Sequence, residues 1–181
     1  TDQSVDADEL IPDITAILDS VITDEDYSVD INVLNNDSYL TTASISVGID
    51  NPSDGTASVS NNIVTYVPDD NFFGTDSISY TISQNEKISS SNISIVINSV
   101  NDVPIFDNLL STYRVDENQT AVTSISASDV EKEALTISLA GTDQSSFNLS
   151  SENVLTFNES PDYETKTSYE LIISVTDGID T

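Results

Sequence analysis

The chain has 181 residues, 32 acidic against 4 basic side chains, a formal net charge of −28, and no Cys, His, Met or Trp. Disulfide staples, imidazole ligands or bases, and thiolate nucleophiles are thereby excluded. So acidic a surface repels nucleic-acid backbones and anionic membrane faces, which leaves cations as the natural partner.

Without Met the chain lacks a translation start, so the expectation is a mature product or an internal piece of a longer protein. No apolar run approaches the roughly 18 residues of a spanning helix, so direct membrane insertion is not expected. The start also lacks the basic and apolar regions of a signal peptide. Charge of this size destabilises a compact state by self-repulsion, so counterions or bound metal are expected to help the chain fold.

Strict alternation of apolar and polar residues runs through the sequence, the mark of strands with one buried face. Tyr27, Val29, Ile31 and Val33 show it first, then Ile45, Val47 and Ile49, then Ile78, Tyr80 and Ile82, then Ile93, Ile95 and Ile97. β-Branched residues, Ser and Thr fill these runs and no helical period competes with them. Seven strands are predicted near 13–23, 27–34, 42–49, 56–60, 62–67, 76–83 and 91–99. The proline of Asn101-Asp102-Val103-Pro104 then ends ladder donation and holds the residue before it extended, which makes a stiff joint. Glu9-Leu10-Ile11-Pro12 is a similar signal.

Residues 1–11 are therefore read as a linker from a preceding repeat, 12–101 as one module and 104–181 as a second. The second module offers six strands, near 105–115, 121–127, 134–140, 145–149, 153–157 and 167–176, and its last strand is missing. Either the chain was cut before that strand or another chain donates it, donor-strand exchange being the rarer arrangement. The fold class is all-β, two tandem β-sandwiches.

Carboxylates collect at strand ends and turns: Asp24-Glu25-Asp26, Asn35-Asn36-Asp37, Asp69-Asp70, Asn101-Asp102, Asp116-Glu117-Asn118, Asp129 with Glu131, Asp162 with Glu164, and Asp177. Two carboxylates about 5 Å apart repel by roughly 3 kcal/mol at an effective dielectric near 20, so convergence calls for a cation. Clustered hard oxygen ligands select Ca2+ over Mg2+. Any one acidic turn taken alone is equally an ordinary solvated loop. No EF-hand loop is present. Asp143 stands in a turn outside these clusters and reads as an isolated surface charge.

Four motifs of the second module, Val115-Asp116-Glu117-Asn118, Ala127-Ser128-Asp129-Val130-Glu131, Pro161-Asp162-Tyr163-Glu164 and Val175-Thr176-Asp177-Gly178, occur in the order and spacing of a cadherin repeat. The module resembles the cadherin-like repeats of large bacterial surface proteins. The first module is similar to related tandem repeats of bacterial adhesins, through Thr23-Asp24-Glu25-Asp26, Val33-Leu34-Asn35-Asn36-Asp37 and Val64-Thr65-Tyr66-Val67-Pro68 running into Asn71-Phe72-Phe73-Gly74-Thr75-Asp76-Ser77. The resemblance implies immunoglobulin/cadherin-like Greek-key sandwiches stacked end to end in a rod, with Ca2+ where repeats meet. It implies a central set of Glu25, Asn101, Asp102, Asp129, Glu131 and Asp177, with Asp69 and Asp70 as additions. Glu117, Asp162 and Glu164 would serve the next repeat, and Asp37 would face the upstream linker with Asp6 or Asp8. Two departures stand out: Asn98 and Val103 occupy places where the cadherin linker often has ligands, and Gln84-Asn85 stands where a strand would usually end in Asp-Gly.

The expected function is a non-catalytic, calcium-rigidified repeat of an extracellular adhesin or surface filament, secreted or at the cell surface. It would act as a spacer and in cell or homophilic adhesion. Its partners would be adjacent repeats, like molecules or surface glycans, and no nucleic acid. Alternatives are a carbohydrate-binding module or a filament subunit completed by a neighbour's donor strand. Tyr66, Phe72, Tyr80, Phe106, Phe147, Phe157 and Tyr169 could stack on sugars, but their place in or beside alternating strands assigns them to the core. A glycosidase needs two carboxylates about 5 to 10 Å apart, which this composition supplies by chance, and no cleft for a substrate is evident.

Overall fold

A computed structural model describes residues 13–180. It is built from fourteen strands, with short 3-10 turns at Val33–Asn35 and Gln144–Ser146. The chain divides into two compact units between Val100 and Asn101.

In the first unit, strands β1 (Asp19–Asp24), β7 (Lys87–Asn98), β6 (Gly74–Gln84) and β3 (Ser46–Ile49) form one sheet in that order. Strands β2 (Val29–Ile31), β5 (Ile63–Pro68) and β4 (Gly55–Ser60) form another. β7 runs parallel to β1 and antiparallel to β6. Ile78, Tyr80 and Ile82 of β6 and Ile93, Ile95 and Ile97 of β7 are buried at every second position, together with Ile31, Val33, Val64 and Tyr66. Each fully buried aliphatic side chain contributes about 1.5–3 kcal/mol, so the period of two accounts for most of what holds this unit together. Two-residue hairpins join β4 to β5 through Asn61-Asn62 and β6 to β7 through Asn85-Glu86, all four residues at positive φ. Paired positive φ matches the twist of flanking strands, and Asn tolerates it.

Strand edges differ from the sequence expectation where side chains offer the backbone other partners. The run expected at 27–34 pairs only over Val29–Ile31, and Val33–Asn35 turns into a 3-10 segment that keeps Val33 wholly buried. Asn36 Nδ2 donates to Leu18 O at 3.0 Å, and Ile17 N donates to Asp37 Oδ1 at 2.8 Å, contacts that replace the ladder. These contacts also precede β1, which begins at Asp19 rather than near residue 13.

Two buried polar side chains organise loops. Asp76 accepts from the backbone N–H groups of Ser53, Asp54 and Ser77 and from the hydroxyls of Ser53 and Tyr66. Gln84 accepts from Leu40 N at 2.8 Å and donates to Leu40 O and Ala43 O. The amide standing in place of an Asp-Gly ending thus clamps the loop at residues 40–43.

In the second unit, β12 (Phe147–Leu149), β13 (Val154–Phe157) and β9 (Ala121–Ser124) form one sheet. β11 (Thr136–Ala140) pairs with β14 (Ile172–Thr176), and β8 (Ile105–Phe106) with β10 (Ala127–Ser128). Ile125, Leu155, Phe157 and Val175 are buried, and Phe147, Phe157 and Tyr169 meet with ring centroids 4.4 to 5.9 Å apart.

The strand expected over 105–115 pairs only at Ile105–Phe106. The stretch before Val115-Asp116-Glu117-Asn118 corresponds to β1, which ends in the matching motif, and β1 owes its ladder to β7. No strand in the position of β7 pairs with β14 among the described residues. The strand expected over 167–176 starts only at Ile172, because Glu170 is drawn to Asp143: Glu170 N donates to Asp143 Oδ2 at 2.8 Å. Asp143 is therefore not the isolated charge its position suggested; it pairs with Lys166, whose Nζ also lies 4.7 Å above the Tyr169 ring.

Candidate metal centres

In the first unit Glu25 follows β1 and is 1% exposed; its N–H donates to Asn98 O at 2.9 Å and its Oε1 accepts from Val100 N at 2.5 Å. The carboxylate thus ties the end of β1 to the backbone just past β7. Asp69 and Asp70 are exposed in the turn after β5, and that turn meets Asp26, whose Oδ1 accepts from Asn71 N at 2.9 Å.

Asp37 lies in a different setting, with Asp19. Its Oδ1 accepts from Ile17 N and, at 2.9 Å, from Tyr80 Oη. Asp19 Oδ2 and Asp37 Oδ2 are buried oxygens without a hydrogen-bond partner among the described residues. Desolvation, helped by the charge of Asp37 and opposed by the Tyr80 hydroxyl, raises the Asp19 carboxyl above its ordinary pKa. Burial, with a hydrogen bond to Asp37, pushes the Tyr80 phenol up. Sequence reasoning passed over Asp19, because it opens a strand rather than standing in an acidic turn. Asp6 and Asp8, the expected companions of Asp37, lie outside the described residues.

The second unit gathers five expected ligands into one network. Asn101 Nδ2 donates to Asp177 Oδ2 at 2.8 Å and to Asp180 Oδ2 at 3.0 Å. Asp102 N donates to Glu131 Oε2 at 3.1 Å, and Glu131 N donates to Asp129 Oδ1 at 3.0 Å. Asp177 Oδ1 accepts the N–H groups of Ile179 and Asp180, which together with Asn101 hold its carboxyl below the usual range. Asp180, which sequence reasoning left out, joins through its side chain; a second acid three residues after Asp177 was the signal available.

Asp129 Oδ2 and Glu131 Oε1 are buried and have no hydrogen-bond partner among the described residues. A buried ionised oxygen left unsatisfied costs several kcal/mol, by rough estimates for buried charges, unless something positive meets it. Oxygen-only donors of this kind, mixed carboxylate and amide, fit Ca2+.

Glu117, Asp162 and Glu164 form a second group in this unit, with ligand oxygens all within 4.8 Å of one another and all three residues exposed. Asn118 N donates to Pro161 O at 3.3 Å, which brings the two loops together. Asp162 accepts from Glu164 N and Thr165 Oγ1, and its carboxyl is lowered, first by the Thr165 hydroxyl.

Comparison with known proteins bears on the fold. Residues 11–96 match the family described as Bacterial Ig domain. Human protocadherin-24 EC1-2, in its crystal form II, is similar in structure at 14% identity and a TM-score of 0.52, over 81% of this chain and 80% of that one. Extracellular cadherin domains 1-4 of protocadherin gamma B7 are similar at 13% identity and a TM-score of 0.50, over 91% of this chain and 47% of that one. No curated protein matches the chain. No helix among the described residues is long and apolar enough to cross a membrane. The match and the likenesses agree with the strands in showing an all-β, immunoglobulin/cadherin-like fold.

Proposed function

We propose that the chain is a non-catalytic, calcium-rigidified repeat segment of an extracellular bacterial adhesin or surface filament, serving as a spacer and in cell or homophilic adhesion. The observation that carries this reading is the network of Asn101, Asp102, Asp129, Glu131, Asp177 and Asp180, in which a buried oxygen of Asp129 and one of Glu131 have no hydrogen-bond partner among the described residues. Ca2+ held there would neutralise the carboxylates and tie the loop at 129–131 to the turn at 177–180. Glu117, Asp162 and Glu164 form a more exposed second set, and Glu25, Asp37, Asp69 and Asp70 are retained as ligands on the resemblance alone. Support for the extracellular repeat comes from the Bacterial Ig domain match and the cadherin-like fold.

A cation bound only by the native state stabilises by mass action. Calorimetric titration with Ca2+ and with Mg2+, followed by melting in EDTA and in each cation, tests the reading. The expected result is Ca2+ binding that Mg2+ reproduces poorly, with a higher midpoint in Ca2+. Absence of binding heat with identical midpoints in all three conditions would overturn it.

A further inference from the structure

The four-stranded sheet of the first unit buries one face and turns the other outward, and charge is nearly absent from the outward face. In a chain with 32 acidic residues and a net charge of −28, Asp24, at the end of β1, is the one charged residue at the outward positions of β1, β7, β6 and β3. On the two central strands, hydroxyl and amide side chains stand opposite one another as Ser77↔Ser94, Ser79↔Asn92 and Thr81↔Ser90. Ser79 Oγ donates to Asn92 Oδ1 at 3.1 Å, and the Thr81 and Ser90 hydroxyls share a hydrogen bond of 2.9 Å. Toward the other end of the same ladder Ile22 of β1 lies opposite Val96 of β7, the two side chains 66% and 40% exposed. Ladder pairing makes them neighbours, so they form a small apolar spot on a hydroxyl-lined surface.

We propose that this face is a self-complementary contact surface, on which a second copy of the chain docks face to face about a two-fold axis. Charge selects the partner. Two chains of net charge −28 repel wherever their acidic loops approach, and this face lets them meet with few like charges opposed. A cationic partner would be steered to the carboxylate clusters instead. Hydroxyls both donate and accept, so a Ser/Thr face matches its own copy, whereas a carboxylate face offers acceptors only. An isologous contact then makes each favourable pairing twice. Strands about 4.8 Å apart and some 20 Å long give roughly 400 Å² per copy, about half of a standard interface, so one pair of faces holds weakly and reversibly. The inference deepens the homophilic part of the proposed function, on which it rests, and does not depend on calcium.

The test is NMR of the 181-residue chain diluted from about 1 mM to about 0.05 mM, at roughly 0.15 M and 0.5 M NaCl, with sedimentation equilibrium over the same range. Concentration-dependent shifts are expected in the amides of β6 and β7, and the association should strengthen at the higher salt, which screens the repulsion between copies. Ser94→Asp places a like charge on both faces and should weaken association at least about tenfold, and Ser79→Asp repeats the test on β6 should one variant fail to fold. Ser58→Asp, outward on β4 of the other sheet, should change it less than about twofold. Shifts that map elsewhere, association that survives both face variants, or equal losses in Ser58→Asp would overturn this face and leave homophilic adhesion standing. A chain that stays monomeric up to about 1 mM at both salts would overturn the face and homophilic contact by this segment together, while the calcium titration still decides the rest of the proposed function.

Discussion

Asp26 and Asn118 hold the same left-handed backbone, φ 62° and 63°, at the same point of the two units. Each lies inside the same turn: Tyr27 N donates to Asp24 O, and Gln119 N to Asp116 O, both at 3.3 Å. The turn sets the acid before it, Glu25 in one unit and Glu117 in the other, at matching places in the chain. A side chain branched at Cβ resists this conformation by about 1–2 kcal/mol, and Gly accepts it freely. Asn118→Val is therefore expected to lose about that much stability in urea unfolding, and Asn118→Gly to keep it.

Neutralising a ligand should change the sign of its effect with the cation. In EDTA, Glu131→Gln relieves a buried, unsatisfied carboxylate oxygen, so the variant should melt at or above the unsubstituted chain. In saturating Ca2+ it loses a ligand and should melt below. Melting of both proteins in the two conditions checks the crossing; parallel behaviour would assign Glu131 a purely structural role.

Asp76 should show the acid limb of stability. Desolvation alone would raise its carboxyl, but the Asp54, Ser77 and Ser53 N–H groups and the Tyr66 hydroxyl outweigh it, and the net direction is down from 3.8. A lowered folded pKa means that the unfolded chain takes up protons first. The stabilisation is thus present above the unfolded value and is lost as pH falls through the folded one. Asp76→Asn is expected to cost about 2–3 kcal/mol near neutral pH, as for the loss of charged hydrogen bonds at a buried site. The gap between the two proteins should narrow as pH falls below the ordinary carboxyl value of 3.8, as denaturant curves at several pH values would record.

Asp19 should behave in the opposite way. Its folded pKa is raised, first by desolvation, so its contribution is fully present below the unfolded value and is lost as pH rises through the folded one. Asp19→Asn, measured in EDTA, should therefore raise the melting midpoint at neutral pH and lose that advantage as the medium is made acidic. A midpoint lowered equally at both pH values would mean that the Tyr80 contact, rather than the charge, dominates.

Much of the fold was legible because it is written at period two. Ile78, Tyr80 and Ile82 and Ile93, Ile95 and Ile97 alternate without interruption, and all six are buried. Strand ends were less legible, because Asn36, Asp37 and Asp143 satisfy backbone groups that an alternating pattern assigns to the ladder. The stretch before Val115 alternates too weakly to declare whether it pairs, and whether it does depends on a neighbouring strand rather than on its own residues. In the candidate sites, the acids in turns stood out as local clusters, whereas Asp19 and Asp180 join theirs through long-range approach and a network visible only in the folded chain.

The parallel pairing of β1 with β7 has a mechanical consequence. A load applied between the start of β1 and the end of β7 pulls the two strands in opposite directions along their own axes, so the pairs from Asp19↔Ile93 to Asp24↔Asn98 bear it together rather than one after another. Shear of that kind keeps the rate of forced unfolding low until the whole ladder yields. The first unit is thus braced against tension along its strands.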